Sequence, residues 1–298
     1  MAALIQLVKR NSKIYFKDKT TFLTSMISPM ILFLLFVTFL KSTYEGSLES
    51  IMPEGVTVEN GLIDAFTGCW FLSSILGVSC VTIAFCSNIL MAQDRISGSI
   101  GDLTVTPVKK STIALSYFLS NVITTAIVCW AAVIIGFFYI SSSGYTFSAA
   151  EIQRIFLDVL LCVLFGASLA ALVENFIKTQ GGISAVASLV SALYGFVCGA
   201  YMPISQFSDS IQTVISYLPG TYTMGILRND YMSGVLEEME QDVPEELMTV
   251  IKDSFDVNMY VGDTQVESAQ MYFIVGGAIV VFLLLYVIFN MLSAKKKG

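Results

Sequence analysis

The sequence has 298 residues, of which 55% are hydrophobic and only 13% charged, and its mean hydropathy is +0.74. This composition excludes an ordinary soluble globular domain. The net charge is −7 and there is no histidine, which excludes His-based catalysis and every metal site that needs a histidine. The six cysteines show no Cys-x-x-Cys spacing, which predicts free thiols.

Six stretches are apolar enough to cross a membrane, for which a helix needs roughly 20 residues. They cover residues 22–40, 62–92, 113–140, 155–173, 181–202 and 271–292. Pro29 is expected to bend the first, and the second is long enough to tilt or to protrude from the bilayer. The sequence therefore predicts an all-α polytopic membrane protein, with one transmembrane domain over residues 1–298.

The basic residues of the loops fix the orientation of these spans. Twelve of the 16 fall on one side of the membrane, including Lys295, Lys296 and Lys297. The resulting charge is +8 on that side and −15 on the other. Because cytoplasmic loops are enriched in Lys and Arg, we expect both termini in the cytoplasm and the chain in the cell membrane.

Residues 3–18 precede the first span and are predicted to form an amphipathic helix, which we call the elbow helix. Leu4, Ile5, Leu7, Val8, Ile14, Tyr15 and Phe16 share one arc, and Lys9, Arg10, Lys13 and Lys17 share the other. Such a helix lies in the headgroup layer. It is either a plain basic anchor or a segment that also contacts a partner protein.

The loop between the second and third spans is "QDRISGSIGDLTVTPVKK", residues 93–110. The pattern of Asp94, Ile96, Ile100 and Leu103 fits a short helix across the membrane surface, which Pro107 ends. If a cytoplasmic partner binds this helix, motion of the partner is transmitted to the two spans. The alternative is a polar loop without a partner.

Two residue patterns, one in the fourth span and one in the fifth, each have two possible roles. Glu151, Arg154 and Asp158 are spaced to share one helix face, which favours an ion pair within the helix over a substrate contact. Small residues at spacings of three or four allow close helix packing in lipid, either within this chain or against a second copy. That stripe consists of Ser184, Ser188, Ala192, Gly195 and Gly199.

Residues 203–270 form the longest segment outside the spans, with a net charge of −10. Its first part is apolar, and Pro219-Gly220 predicts two short helices that enter the outer leaflet and return. Backbone at that depth has to be covered by protein. The remainder has a soluble character and is predicted to contain a helix over residues 244–255, making an external helical segment between the fifth and sixth spans.

The sequence contains no Gly-x-x-x-x-Gly-Lys phosphate loop, so ATP is not bound by that motif. Charge-poor span centres argue against an ion-gradient-driven secondary carrier, which usually needs intramembrane acids. That carrier remains the main alternative to an ATP-driven transporter. A membrane enzyme would need a convergent polar constellation, and the sequence does not suggest one.

Two segments resemble the type-2 permeases of ATP-binding-cassette exporters. In residues 93–110 the residues that match are the pair Asp94-Arg95, then Gly98, Leu103 and Pro107, although Gln93 stands where a glutamate is commonest. After the fifth span the matching residues are Gly199, Pro203, Pro219 and Arg228. The elbow helix and the six spans agree as well, so the resemblance covers the whole chain.

The resemblance implies half of a transporter, in which two membrane subunits pair and each docks on a separate ATPase subunit. ATP and Mg would be bound by the ATPase subunit, and this chain would bind no cofactor. The elbow helix and the coupling residues Asp94, Arg95, Ile96, Gly98, Ile100, Leu103 and Pro107 would form the docking surface. The implied activity is export, with a hydrophobic drug, antibiotic or amphipathic peptide favoured over a lipid or glycan. The second membrane subunit would be a second copy or a related chain.

Overall fold

The helices of the N-terminal half follow one another with short connections. The computed structural model describes residues 1–53, 58–262 and 264–295, and among these all side chains except those of Ser28, Asn60, Gln180 and residues 290–295. Lys296 and Lys297, assigned above to the cytoplasmic side, lie outside the described residues. The elements of this half are α1 Ala2–Lys17, α2 Lys19–Leu35, a π-helical stretch Phe36–Leu40, α3 Lys41–Ile51, α4 Asn60–Ile96, α5 Ser99–Thr104 and α6 Lys110–Ser141.

The C-terminal half adds more helices and one small hairpin. Its elements are α7 Ala149–Glu174, α8 Gln180–Val197, a 3₁₀ turn Ile204–Gln206, α9 Asp209–Ser216, α10 Pro219–Met239, α11 Glu245–Ser254, β1 Met259–Val261, β2 Thr264–Val266 and α12 Ser268–Lys295. The strands pair antiparallel, with Met259 opposite Val266. The segment predicted as helical over residues 203–270 therefore also contains a hairpin.

Five helical stretches among the described residues are long and apolar enough to cross a membrane. They are Lys19–Ile51, Gly61–Ile96, Lys110–Ser141, Ala149–Glu174 and Ser268–Phe289. The predicted fifth span corresponds to a shorter apolar helix, Gly181–Val197. The chain is a largely helical, polytopic membrane protein, as its sequence predicts.

Helix α4 lies at the centre of the bundle, packed against α2, α6, α7, α8 and α10. Its 37 residues form one unbroken helix, which at 1.5 Å per residue is about 55 Å long. This length exceeds the roughly 30 Å of a hydrocarbon core, so α4 must tilt in the membrane or extend beyond it, the two alternatives predicted for the second span. Gly166 of α7 lies against the backbone of Cys80 in α4, where any side chain would overlap the Cys80 carbonyl.

Local sequence sets several helix boundaries. Asp18 is the N-cap of α2, where its carboxylate accepts hydrogen bonds from the N–H groups of Thr20 and Thr21 at 3.1 and 3.2 Å. Ser148 and Glu151 form a capping box at the start of α7. Pro219 occupies the first turn of α10, where its missing N–H costs nothing.

The fifth predicted span, 181–202, ends earlier in the structure than the sequence suggests. Helix α8 stops at Val197, and Gly199 adopts a left-handed conformation with φ of 74°. The N–H groups of Ala200 and Tyr201 both bond back to the Gly195 carbonyl, at 2.8 and 3.2 Å. Such a glycine-centred end satisfies carbonyls that the helix would otherwise leave unpaired. The apolar residues beyond it belong to a turn.

The prediction of an ion pair within the fourth span is wrong. Arg154 of α7 pairs across helices with Asp230 of α10, with Nε 3.1 Å from Oδ1. Glu151 serves the capping box, and Asp158 accepts a hydrogen bond from the Tyr272 hydroxyl of α12 at 2.6 Å. Arg154 therefore joins α7 to α10, and the buried Asp158 joins α7 to α12.

Candidate functional site

The segment predicted as one coupling helix is divided between two elements. Asp94, Arg95 and Ile96 form the last turn of α4. Gly98 then interrupts the helix, with a φ of 86°. Ile100 and Leu103 lie on the six-residue helix α5, and Pro107 follows in the loop. The prediction of a single helix over residues 94–104 is therefore wrong. The left-handed glycine, a conformation that costs other residues energy, separates the two parts.

Asp94 joins three helices at the end of α4 and is only 8% exposed. Its Oδ2 atom lies 2.7 Å from Nη1 of Arg10 on α1 and accepts a hydrogen bond from the Tyr117 hydroxyl of α6 at 2.5 Å. We call Arg10, Asp94 and Tyr117 the elbow cluster. The hydrogen bond to Asp94 raises the pKa of Arg10 above its ordinary value. Arg10 is thus not part of a free basic face, as the sequence suggested, but holds the elbow helix to the bundle.

Arg95 also binds within the chain. Its guanidinium donates to the backbone carbonyl of Asn175 at 3.3 Å and to the Asn175 side-chain oxygen at 3.4 Å. Asn175 is the residue that ends α7. Arg95 therefore joins the end of α4 to the end of α7. Asp94 and Arg95 together fix the end of α4 relative to α1, α6 and α7.

The exposed part of the segment contains both apolar and polar residues. Its exposed polar residues are Ser97, Asp102, Thr106, Lys109 and Lys110. Ile96 is 45% exposed and Val105 is 87% exposed, while Gly98 and Pro107 are also exposed. On the neighbouring elbow helix Lys9, Lys13 and Lys17 are exposed as well. We call Ile96, Gly98, Val105, Pro107 and these three lysines the coupling surface.

A second site lies around Arg228 of α10, whose side chain is fully buried. Its Nη1 atom is 3.1 Å from Oδ2 of Asp256, and its Nη2 atom donates to the Gly199 carbonyl and, at 3.4 Å, to the Ser74 hydroxyl. The guanidinium also lies over the ring of Trp70, 4.7 Å from its centroid. We call these five residues the Arg228 cluster.

Asp256 has the central position in this cluster, and the sequence did not predict it as a site residue. Its carboxylate accepts hydrogen bonds from the N–H groups of Ile204 and Ser205, at 2.5 and 3.4 Å, next to the buried Pro203. Burial raises the pKa of Asp256, while Arg228 and these N–H groups oppose that shift. A signal was present, since a buried arginine requires an acid, but twelve acids of the 203–270 segment were candidates.

The small-residue stripe of α8 serves two different surfaces. Ser184, Ser188 and Ala192 are exposed. Gly195 is buried against the ring of Tyr201, where a side chain would overlap the ring, and Gly199 contacts Ile204. The two glycines therefore belong to packing within the chain, and only the first three residues can serve a contact with another helix.

A cleft of about 550 Å³ opens between the C-terminal part of α10, the hairpin and the start of α12. We call it the α10–α12 cleft. Its floor is apolar, formed by the buried side chains of Leu236, Val257, Val266 and Met271. Its rim carries the exposed acids Glu237 and Glu267. The remaining lining is also polar and includes Asn229, Ser233, Asn258, Gln265 and Ser268. A third acid, Glu240, is neutralised by Lys252, with Oε1 2.7 Å from Nζ.

The profile of the ABC-2 type transporter family matches residues 2–231, more than half of the chain. The chain belongs to this family. It is a membrane subunit of an ATP-binding-cassette transporter, and membership implies a separate ATPase partner. The comparison with curated proteins gave no match.

The match covers only part of this ABC-2 transporter subunit. It includes the elbow cluster, the coupling surface, α8 and Arg228. Asp256, α11, the hairpin and α12 follow the matched region. The Arg228 cluster therefore joins the matched region to the residues that follow it.

Proposed function

We propose that the chain is the transmembrane half of an exporter that pairs with a second copy and is driven by a separate ATPase subunit. The observation that carries this proposal is the elbow cluster. It holds the elbow helix, the end of α4 and α6 together, next to a segment in which Ile96 and Val105 are exposed. A protein that docks on Ile96 and Val105 would displace a rigidly joined unit, because the ion pair is short and Asp94 is buried.

The proposed coupling proceeds through α4. Closure of the ATPase subunits on ATP would shift the coupling surface, and α4 would transmit this shift along its whole length to the far side of the membrane. Its other end lies next to α3, where Lys41 is 2.9 Å from Asp64. Such transitions are rigid-body movements between two packed arrangements. ATP and Mg are bound by the partner in this scheme.

The proposed topology has six crossings of the cell membrane, with both termini in the cytoplasm. Helix α8 is the fifth crossing, and its 18 residues rise about 27 Å, slightly less than the roughly 30 Å of a typical core. Helices α9 and α10 then enter from the outer side and return. Pro219 separates them, and residues 220–228 of α10 are buried in protein, as backbone inside a membrane requires.

The α10–α12 cleft supports an amphipathic substrate that carries positive charge. An apolar floor with two exposed acids on its rim is complementary to an amine attached to an apolar group. Its volume falls within the range of about 300–1,000 Å³ that is usual for small-molecule sites. A cationic drug, antibiotic or peptide is therefore favoured over a lipid or a glycan.

The proposal is tested by co-purifying the chain in mild detergent with the ATPase subunit and measuring ATP hydrolysis and transport in liposomes. We expect a stoichiometric complex whose transport stops without ATP. If the chain instead remains alone and moves solute along an ion gradient in liposomes, the secondary carrier replaces the exporter. Loss of ATP-driven transport with intact membrane insertion in the Val105→Asp variant would assign the docking to the coupling surface.

A further inference from the structure

A small enclosed cavity lies beneath the elbow helix, between α1, α4 and α6. The centre of a water molecule can occupy about 10 Å³ of it, which is room for one water. Leu90 and Met91 form an apolar part of its wall, and the polar part includes Asn11 of α1, Ser87 and Asn88 of α4, and Ser120 and Asn121 of α6. An empty cavity of this size is usually apolar, whereas a polar one holds water.

Two side-chain amides of this wall have N–H groups without a protein partner. The Nδ2 atoms of Asn11 and Asn121 are both buried and unpaired, and the two residues are only 1% and 2% exposed. An amide donor buried without a partner costs about 1–3 kcal/mol. Two such donors beside one cavity indicate a common partner that is absent from the protein chain.

The orientation of each amide follows from its other contact. Oδ1 of Asn11 accepts a hydrogen bond from Arg10 at 2.9 Å, and because a guanidinium only donates, the Nδ2 atom must be the one left unpaired. Oδ1 of Asn121 accepts from the Thr125 hydroxyl at 3.2 Å. If that amide were reversed, its oxygen would be left in place of the nitrogen, so one polar atom of Asn121 remains unpaired in both orientations.

We propose that this cavity binds one water molecule, which bridges Asn11 of the elbow helix to Asn121 of α6. The water accepts from the Asn11 amide and pairs with the Asn121 amide, and the hydroxyls of Ser87 and Ser120 lie on the same wall for its remaining bonds. Two direct contacts flank it: Ser12 with Ser120 at 3.0 Å, and Ser87 with Thr124 at 2.7 Å. The elbow helix is thus joined to the bundle by a hydrated polar contact next to the elbow cluster.

The bridge predicts non-additive substitutions, because a water bound to two amides couples them. Leucine has the same number of side-chain heavy atoms as asparagine and the same branch at Cγ, so Asn11→Leu and Asn121→Leu remove the polar groups without opening space. We expect each single variant to lower the Tm of the full chain in nanodiscs, and the double variant to lower it by about as much as one single variant. The control pair is Asn11→Leu with Ser168→Ala, since Ser168 of α7 is also buried, bonds the Phe165 carbonyl and does not line the cavity, and its effects should add.

A direct readout is a density map of the full chain at a resolution that shows ordered waters. We expect one peak within hydrogen-bond distance of both amides, absent in the double variant. If either single variant raises Tm, the amide was unpaired in the folded protein, and the bridge is overturned. Additive Tm changes, or a map without this peak, overturn it equally. None of these readouts needs the ATPase subunit, so the result is independent of the proposed export function.

Discussion

Single polar residues carry more information about this molecule than its many apolar ones. Most apolar side chains of α2 and α12 face outward and are interchangeable in lipid, whereas each buried charge needs a specific partner. Arg228 has Asp256, Asp94 has Arg10, and Asp158 has Tyr272. These pairs join residues that are far apart in sequence, so they fix how the helices are arranged.

Breaking the pair of Arg228 and Asp256 should strongly destabilise the fold. Because both side chains are buried, Arg228→Met leaves an uncompensated charge, which typically costs about 3–5 kcal/mol. The matched control is Lys252→Met, which breaks the more exposed pair with Glu240 and should cost at most about 1 kcal/mol. Thermal unfolding in detergent measures both. Equal changes in Tm would show that the buried cluster has no special weight.

The elbow cluster gives a prediction about attachment of the elbow helix. Arg10→Glu places two acids together and should release the helix from α4, with a loss of about 1–3 kcal/mol for the unpaired Asp94. Arg10→Asp combined with Asp94→Arg should recover part of it. Trypsin cleavage within the first 17 residues reports the release. Lys9→Glu changes the same charge at an exposed position and should leave cleavage unchanged; if it matches Arg10→Glu, net charge and not the ion pair is responsible.

At the scale of elements, helix ends are decided by residues that the apolar pattern hides. The pattern located every long apolar helix and the elbow helix, because burial in lipid follows composition. It misplaced the ends of α4 and α8, because Gly98 and Gly199 adopt left-handed conformations that a count of apolar residues does not detect. The partners of Arg10 and Arg228 were equally inaccessible, since they depend on how distant helices pack.

The N-cap of α2 should make its stability depend on pH. The hydrogen bond from the Thr21 hydroxyl, together with the N–H groups of Thr20 and Thr21, lowers the pKa of Asp18. An acid with a lowered pKa in the folded state stabilises that state above its unfolded pKa of about 3.9, and the contribution is lost as pH falls through the folded pKa.

Asp18→Ala should therefore cost about 1 kcal/mol at neutral pH, and the difference from the unmodified chain should vanish in acid. Denaturation at a series of pH values measures this dependence. Asp18→Asn keeps a capping oxygen without a titrating group, so it should retain most of the stability and show none of the pH dependence. A constant difference between Asp18→Ala and the unmodified chain at all pH values would contradict the assignment.

The coupling surface should bind its partner through apolar contact. Val105 is 87% exposed, so Val105→Asp adds a charge without disturbing the fold, and Tm should not change. Burying that charge at an interface would weaken ATPase-subunit binding about tenfold or more, since such mismatches cost 1.4 kcal/mol or more. Co-purification yield measures it. Val250→Asp on α11 is the control at an exposed valine far from this surface, and it should bind normally.

At the scale of the whole molecule, the outward faces of α2 and α8 present a large apolar surface. Leu189 and Leu193 of α8 are 58% and 55% exposed, and Leu34 of α2 is 63% exposed. Also exposed on α8 are the small residues Ser184, Ser188 and Ala192, which let another helix approach closely. Lipid covers such a surface in a single subunit, and a second subunit covers it in the proposed pair.

Pairing predicts a disulfide across the proposed symmetry axis. Residues near a two-fold axis meet their own copies, so Ser188→Cys should form a crosslinked dimer in membranes. The native cysteines among the described residues are buried free thiols, so the background of crosslinking through them should be low. Leu157→Cys on α7 is equally outward, with 58% of its surface exposed, and should remain monomeric.

The same surface distinguishes pairing from packing within the chain. Ala192→Leu fills the space that a second helix would use, so it should reduce the Ser188→Cys crosslink while leaving Tm unchanged. Gly195→Leu should do the reverse, lowering Tm because the side chain would overlap Tyr201. If Ser188→Cys crosslinks no more than Leu157→Cys, this face of α8 is covered by lipid alone, and the export pathway must be formed by a different pairing of subunits.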